Sequence, residues 1–377
     1  MDWAQIYAAV FIMALGLSLI LTPACQKIAQ IFGFLDIPKC EGHKLHAKST
    51  PLLGGVAMYS AWILTILAAL AAVTFILPEK AMQDIIAGVA GIKLVLREFA
   101  VIILCALAAL VMGTYDDKHA MKAHHKLYGQ IAIAVATATF GGVHITLFMD
   151  LPFLSWFLTV FWIIFIFNAT NFFDNMDGLA VGTASIAFLF FTTAAIVNEQ
   201  YFVACLGACC AGSAIGFWFF NHSPASIFMG DGGSHFLGYM LAVISAKVTY
   251  FNPLVSESRL STLIPLFILA VPIFDTLAVV VIRLLNHKPI YVGDHNHISH
   301  RFLHMGMSRK RAVLLVHLLC LIAGLGAMPL LWGDERSCLI LIAQGVTILL
   351  MLTLIQYSGT IQNKQQAQLQ EKSLNEK

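Results

Sequence analysis

Charge is what this sequence has least of. Asp, Glu, Lys and Arg make up 11% of its 377 residues and hydrophobic residues 59%, against about 25% charged residues in an ordinary soluble domain. A soluble globular fold is therefore excluded. The apolar segments also lack strict alternation, which excludes the strands of a transmembrane β-barrel. No CxxC or paired Cys/His spacing occurs among the eight cysteines, which argues against structural zinc. Cys205, Cys209 and Cys210 fall at helical spacing and read as small packing residues of a helix interface. No repeat of about 20 to 50 residues is present. The first apolar run has neither a basic segment before it nor a small-residue cleavage site after it, so it is expected to be a retained helix rather than a signal peptide.

Long apolar runs are abundant. A hydrocarbon core of about 30 Å requires about 20 apolar residues per helix, and such runs lie near 5–23, 52–77, 95–114, 130–149, 152–170, 179–197, 199–220, 235–251, 261–284, 312–331 and 338–356. The expectation is an all-α, polytopic membrane helix bundle with about eleven transmembrane helices. Residues 1–356 would form a single transmembrane catalytic domain, and residues 357–377 a polar cytoplasmic tail. When loops are taken alternately, sixteen of the twenty-two Lys and Arg residues fall on one side. By the positive-inside rule that side is cytoplasmic, with the N-terminus outside and the C-terminus in the cytoplasm.

The unusual polar clusters sort to the same five cytoplasmic loops. They are "GHKLHAKSTPLLGG" (42–55), "GTYDDKHAMKAHHKLYGQ" (113–130), "FIFNATNFFDNMDG" (165–178), "NHSPASIFMGDGGS" (221–234) and "RLLNHKPIYVGDHNHISHRFLHMG" (283–306). Random polar decoration would not sort to one face. Ionisable groups at the mouth of a helix bundle are costly to desolvate and point to a functional site. Asp275, in "VPIFDTL", is the exception: it lies inside an apolar run, either supporting the site or pairing with a neighbouring helix.

Within those loops Asp116 and Asp117 are adjacent, so on a helix they point about 100° apart and can do two jobs. Asp174, Asp177 and Asp231 belong to other helix ends on the same side. Clustered carboxylates repel unless a cation compensates them. An oxygen-rich set that includes Asn amides suits Mg2+ or Mn2+. The glycines around Asp231 let backbone approach a ligand closely, and Lys44, Lys126, His297, His300 and Arg301 supply positive charge for phosphate. The loop histidines lack the spacing of a zinc site, so phosphate or diphosphate contact is the preferred reading. Together these residues imply metal-assisted phosphoryl transfer at a membrane surface, with a lipid as one substrate.

At these loops, from about Asp36 to about Val313, the sequence resembles the polyprenyl-phosphate N-acetylhexosamine-1-phosphate transferases, glycosyltransferase family 4 type. The resemblance implies transfer of a sugar 1-phosphate from a UDP-sugar to a polyprenyl phosphate, with release of UMP. The "YDD" element matches the family's Asp pair, so Asp116 or Asp117 would deprotonate or position the lipid phosphate. Lys126 matches a downstream lysine. "NATNFFDNMDGLA" resembles a motif that gives Asn171, Asp174 and Asp177. "FMGDGGS" gives Asp231 as a Mg2+ ligand, with Asn171 near the metal and Phe228 as a stacking surface for uracil. Asn221 matches an asparagine of the uridine pocket, and Arg283 an arginine that meets the diphosphate. His297 and His300 carry over from the family's H-I-H-H, whose middle histidine is Ser299 here. In the first loop His43 stands where Arg is common, which leaves Lys44 and His46 as the matches.

The triple-His element of the muramoyl-pentapeptide branch is absent, so the resemblance favours an N-acetylhexosamine donor, UDP-GlcNAc first. Asn175 occupies a family glycine position, and a left-handed turn is expected there because Asn tolerates that region best among non-glycine residues. The implied cofactor is Mg2+, with Mn2+ as the alternative. The implied partners are a polyprenyl phosphate, a UDP-sugar and the lipid bilayer of the cell membrane; a homodimer is allowed and nucleic acid is not expected. Two rival readings are weighed. An intramembrane aspartyl protease would use Tyr115-Asp116 and "MGDGG", but Phe228 stands where its motif needs Gly. A transporter would place its carboxylates near the middle of its helices, whereas here they gather at helix ends.

Overall fold

The computed structural model describes residues 2–36, 49–72, 92–145, 151–253, 256–289 and 297–375, with side chains left aside at 92–95 and 357–375. The described chain is helical apart from one two-stranded ribbon. Eight of its helices are long and apolar enough to cross a membrane, or nine if one bent pair counts as a single span. Large apolar side chains such as Ile20, Leu104, Phe153, Phe161 and Leu354 are exposed. That arrangement suits a lipid solvent, in which the outward surface needs no polar cover and helices satisfy their own backbone groups.

The chain divides into two units, Met1–Asn252 and Pro253–Lys377. The first contains α1 (Trp3–Phe32), the ribbon strands β1 (Leu35–Asp36) and β2 (Thr50–Pro51), α2 (Gly54–Ala71), α3 (Ile92–His119) and α4 (Ala123–Phe140). It continues with α5 (Pro152–Phe173), α6 (Leu179–Val197), α7 (Tyr201–Asn221) and α8 (Gly230–Lys247). The strands are antiparallel, with Leu35 opposite Pro51. α1 lies against α2 and α7, and α6 against α7.

At the centre of this unit stands α8, which touches α2, α3, α5 and α6. Gly232 to Ser245 of α8 are buried without interruption. A helix with a polar first turn is thus enclosed along most of its length, because that turn meets protein rather than lipid. α4 and α8 coincide with two of the eleven apolar runs, but neither is among the helices apolar enough to count as a span on length and composition.

The second unit contains α9 (Ile264–Ile268), α10 (Ala270–Leu285), α11 (Ile298–His304), α12 (Arg309–Ala327) and α13 (Glu335–Asn375). Arg259–Ile268, a 3-10 turn running into α9, and α10 form the bent pair, turning by 68° at Leu269. Pro272 lies one turn into α10; proline has no N–H to continue the ladder, and its ring crowds the preceding turn.

Candidate active site

The first unit assembles its site around the start of α8. Two close approaches bring the backbones together. At Gly113 on α3 a Cβ would come within 2.3 Å of the Asp231 carbonyl oxygen, and at Gly55 on α2 within 2.3 Å of the Gly233 nitrogen. Residues 228–229 are held by the end of β2 and the start of α2. Phe228 N–H donates to the Pro51 carbonyl (2.8 Å), and the Phe228 and Met229 carbonyls accept from Gly54 and Gly55 N–H (3.1 and 3.0 Å). Gly230 then turns into α8 with φ 68°.

Three helices contribute side chains to this point. From the end of α3, Asp117 Oδ1 accepts the Asp231 N–H at 2.7 Å and Oδ2 the Gly232 N–H at 3.2 Å. Asp116 accepts the Met121 N–H and pairs with Lys126 Nζ of α4 at 3.0 Å. The same ammonium lies 2.6 Å from Asp231 Oδ2 and 3.4 Å from Asn171 Oδ1. Asn171, near the end of α5, donates through Nδ2 to Asp231 Oδ1 (2.9 Å) and Ser234 Oγ (2.8 Å). Asp116, Asp117, Lys126, Asn171 and Asp231 thus form one connected set, drawn from loops far apart in sequence.

One helical turn deeper, Gln130 and Asn168 exchange a pair of amide hydrogen bonds at 2.8 and 3.2 Å. This clasp joins α4 to α5 directly beneath Lys126 and Asn171. His235 is fully buried and its Nδ1 meets the Asp231 carbonyl. Sequence reasoning selects Asn168 with Asn171 but misses Ser234, His235 and the pairing of Asn168 with Gln130. Their signal was periodicity, since each lies three or four residues from a residue already selected.

Asp174 and Asp177 follow α5. Asp177 Oδ2 accepts the Ala225 N–H at 3.1 Å, and Asn221 accepts from Gly178 N–H (3.0 Å) while donating to the Ile227 carbonyl (2.9 Å). Both residues therefore tie the loop before α8 to the turn after α5, just ahead of half-buried Phe228 in the chain. The Asp174 carboxylate accepts no hydrogen bond from the described residues, unlike the other four carboxylates, and only its backbone N–H is engaged, by the Asn171 carbonyl at 3.3 Å. Loss of water on burial, followed by the negative charge of Asp231, Asp117 and Asp177, raises its carboxyl well above the usual carboxylate range.

The turn corrects one expectation. Asn175 is not among the residues with positive φ; the left-handed position is Gly178, with φ 75°. Asn175 instead donates from Nδ2 to the Phe172 carbonyl at 3.2 Å, at the end of α5. The family glycine position is thus filled by a residue that closes the helix, and the reversal is made three residues later.

No three His, Cys, Asp or Glu side chains converge tightly enough to hold a metal among the described residues. The donor set nevertheless fits a hard cation. Asp231 and Asn171 offer oxygens beside the unbonded Asp174, and Mg2+ is commonly held by one or two carboxylates with substrate phosphates and water completing its shell.

The second unit holds another polar group. Arg283 is buried on α10 and reaches the Pro289 carbonyl at 3.4 Å. His297 precedes α11, its ring centroid 6.5 Å from that of His300, and Arg301 follows on the same short helix. The buried Asp275 of α10 meets His297 Nδ1 at 2.7 Å and accepts the Ile298 N–H. Lys44 and His46 lie outside the described residues.

Residues 99–249 match the glycosyl transferase family 4 profile. A probable undecaprenyl-phosphate N-acetylglucosaminyl 1-phosphate transferase of Bacillus subtilis is 31% identical over 361 residues, covering 94% of this chain and 92% of its own length. A decaprenyl-phosphate N-acetylglucosaminephosphotransferase of Mycobacterium leprae is 30% identical, covering 82% and 81%. A phospho-N-acetylmuramoyl-pentapeptide-transferase of Bacillus cytotoxicus is 30% identical, covering 62% and 72%. With matched motifs and a relative aligned over nearly its whole length, this chain belongs to glycosyl transferase family 4, the polyprenyl-phosphate sugar-1-phosphate transferases.

Proposed function

We propose that this protein transfers N-acetylglucosamine 1-phosphate from UDP-GlcNAc to a polyprenyl phosphate, releasing UMP at the cytoplasmic face of a bacterial cell membrane. The observation that carries this reading is the Lys126 ammonium among Asp116, Asp231 and Asn171: acid, amide and base gathered at one helix start, as phosphate chemistry beside a lipid requires. In the reaction the bond from the sugar-bearing phosphorus to the UMP oxygen breaks and a bond from that phosphorus to an oxygen of the lipid phosphate forms, in one step or by way of a covalent aspartyl intermediate.

Each residue has a distinct task. Asp116 takes the proton of the lipid phosphate or orients it, and Lys126 draws the two phosphates together against their mutual repulsion. Asp117 fixes the start of α8, and Asp177 and Asn221 fix the loop that presents Phe228 to the uracil face. Arg283, His297, His300 and Arg301, with Lys44 and His46, contribute positive charge and donors to the diphosphate. Asp231 and Asn171, with Asp174 beside them, would hold Mg2+, which when bound supplies charge stabilisation to the phosphoryl oxygens. Eleven spans, with the N-terminus outside and the C-terminus in the cytoplasm, complete the proposed topology. It is supported by helices at every apolar run and by the Lys and Arg distribution.

The test is UMP release by the purified full-length protein given undecaprenyl phosphate, Mg2+ and a panel of UDP-sugars. Turnover is expected with UDP-GlcNAc and is expected to stop on chelation. Release from none of the sugars overturns the reading, and turnover that survives chelation overturns its metal.

A further inference from the structure

Asp275 has no place in the reaction described above, yet it is fully buried and spends its two carboxylate oxygens on two consecutive residues. Oδ2 lies 2.7 Å from His297 Nδ1, and Oδ1 accepts the backbone N–H of Ile298, the first residue of α11. Burying a carboxylate without partners costs several kcal/mol, so a position whose only task was to fill the α10 interior would be met by an apolar residue. A need to start α11 would be met by a neutral cap such as Ser or Asn. The residue present does more than either, because it grips a side chain and the backbone that follows.

The chemistry of the grip is directional. With Asp275 ionised its carboxylate can only accept, and the imidazole then carries its proton on Nδ1. The ring is then fixed in tautomer and rotation, with Nε2 as its remaining edge. When Nε2 also carries a proton and donates it to a phosphate oxygen, the Asp275 charge behind the ring compensates the imidazolium. The same bond at Ile298 sets the direction of α11, which carries His300 and Arg301. Arg301 N–H donates to the His297 carbonyl at 2.9 Å, and the Asp275 charge also acts on the Arg301 guanidinium.

We infer that Asp275 is a positioning residue for the transfer reaction, holding His297 and the start of α11 in the arrangement that meets the diphosphate of the donor. The inference rests on the diphosphate contact proposed for His297.

The test is a double-mutant cycle on the full-length protein in detergent, measuring UMP release against UDP-GlcNAc concentration and, separately, thermal unfolding. Asp275→Asn is expected to lower kcat/KM for the nucleotide sugar by about 10- to 100-fold with unfolding within a few degrees of wild type. Its division between KM and kcat should match that of His297→Ala. The double variant is expected to be no more than about twofold worse than His297→Ala alone, since a residue acting through another has nothing left to lose. Should Asp275→Asn fail to fold, Asp275→Glu, which keeps the charge one methylene further out, takes its place in the same cycle.

A single variant within twofold of wild type, or a double variant that loses the product of the two single losses, overturns the inference. If His297→Ala is impaired while Asp275→Asn is not, this inference alone fails. If His297→Ala turns over normally, the diphosphate contact fails and the inference with it.

Discussion

The carboxylate of Asp117 caps α8 from a different helix, taking the N–H of Asp231 at 2.7 Å and that of Gly232 at 3.2 Å. Its neighbour Asp116, about 100° further round α3, reaches Lys126 instead. Two adjacent acids thus divide the work: one holds the helix that carries Asp231, and the other faces the cationic centre of the site.

That division predicts different signatures for two similar substitutions. Asp117→Asn replaces an acceptor with an amide donor in front of two N–H groups, and loss of a helix cap costs about 1 kcal/mol. It should lower the unfolding temperature by about 2 °C or more and reduce UMP release by at least about 100-fold. Asp116→Asn should lose activity to a similar degree while unfolding closer to wild type. Equal unfolding temperatures for Asp117→Asn and wild type would contradict the capping role.

The approach of α3 to α8 makes a second prediction. At Gly113 an added methyl would overlap the Asp231 carbonyl, and both partners are backbone, so neither can swing aside. Gly113→Ala should push Asp231 away from Asp117 and Lys126 and lower activity by at least about 10-fold. Gly326→Ala, where no atom lies within 4 Å of the added carbon, is the control and should behave like wild type. Full activity in Gly113→Ala would mean the two helices are not held at that distance.

Much of this was readable in the sequence, for definite reasons. Apolar runs report helices because length and hydropathy are local quantities, and the motifs around Asp116, Asn171 and Asp231 report a site because charge is expensive near lipid. Enclosure was harder to read. α8 begins Gly-Asp-Gly-Gly-Ser-His and looks too polar to be central, yet neighbours on several sides bury it, a tertiary fact no window of residues contains. The grouping of Asp116, Lys126, Asn171 and Asp231 is easier to read from the motifs than the partners each side chain takes. The motif position points to Asn175 as the turn, while the left-handed residue is Gly178. The partners of Asp275 and Gln130 are 22 and 38 residues away, beyond any local pattern.

The Gln130–Asn168 clasp carries a third prediction. Each amide donates to and accepts from the other, so removing Asn168 strands the buried Gln130, and removing Gln130 leaves the half-buried Asn168 with the Ile164 carbonyl alone. Gln130→Leu and Asn168→Leu should each lower unfolding temperature and activity, the latter about 10-fold through displacement of Lys126 and Asn171. The double variant should be less destabilised than the sum of the singles, with a coupling of about 1 kcal/mol. Strict additivity would mean that the two amides do not act as a pair.

Asp174 separates stability from function. Its ionised form is opposed by burial and by the charges of Asp231, Asp117 and Asp177, so its folded-state pKa lies above that of the unfolded chain. For a carboxyl shifted this way, the folded state binds the proton more tightly. Its contribution to stability is complete below the unfolded value of about 4 and is lost as pH rises toward the folded value. Asp174→Asn, neutral at every pH, escapes that loss. In EDTA it should unfold at a higher temperature than wild type at neutral pH, with the gap closing as pH falls toward about 4. Without chelator its UMP release should drop by at least about 100-fold, because the charge that strains the free protein is the one proposed to meet the cation. A gap that widens on acidification would reverse the sign of the argument, and a variant with normal turnover would remove Asp174 from the site.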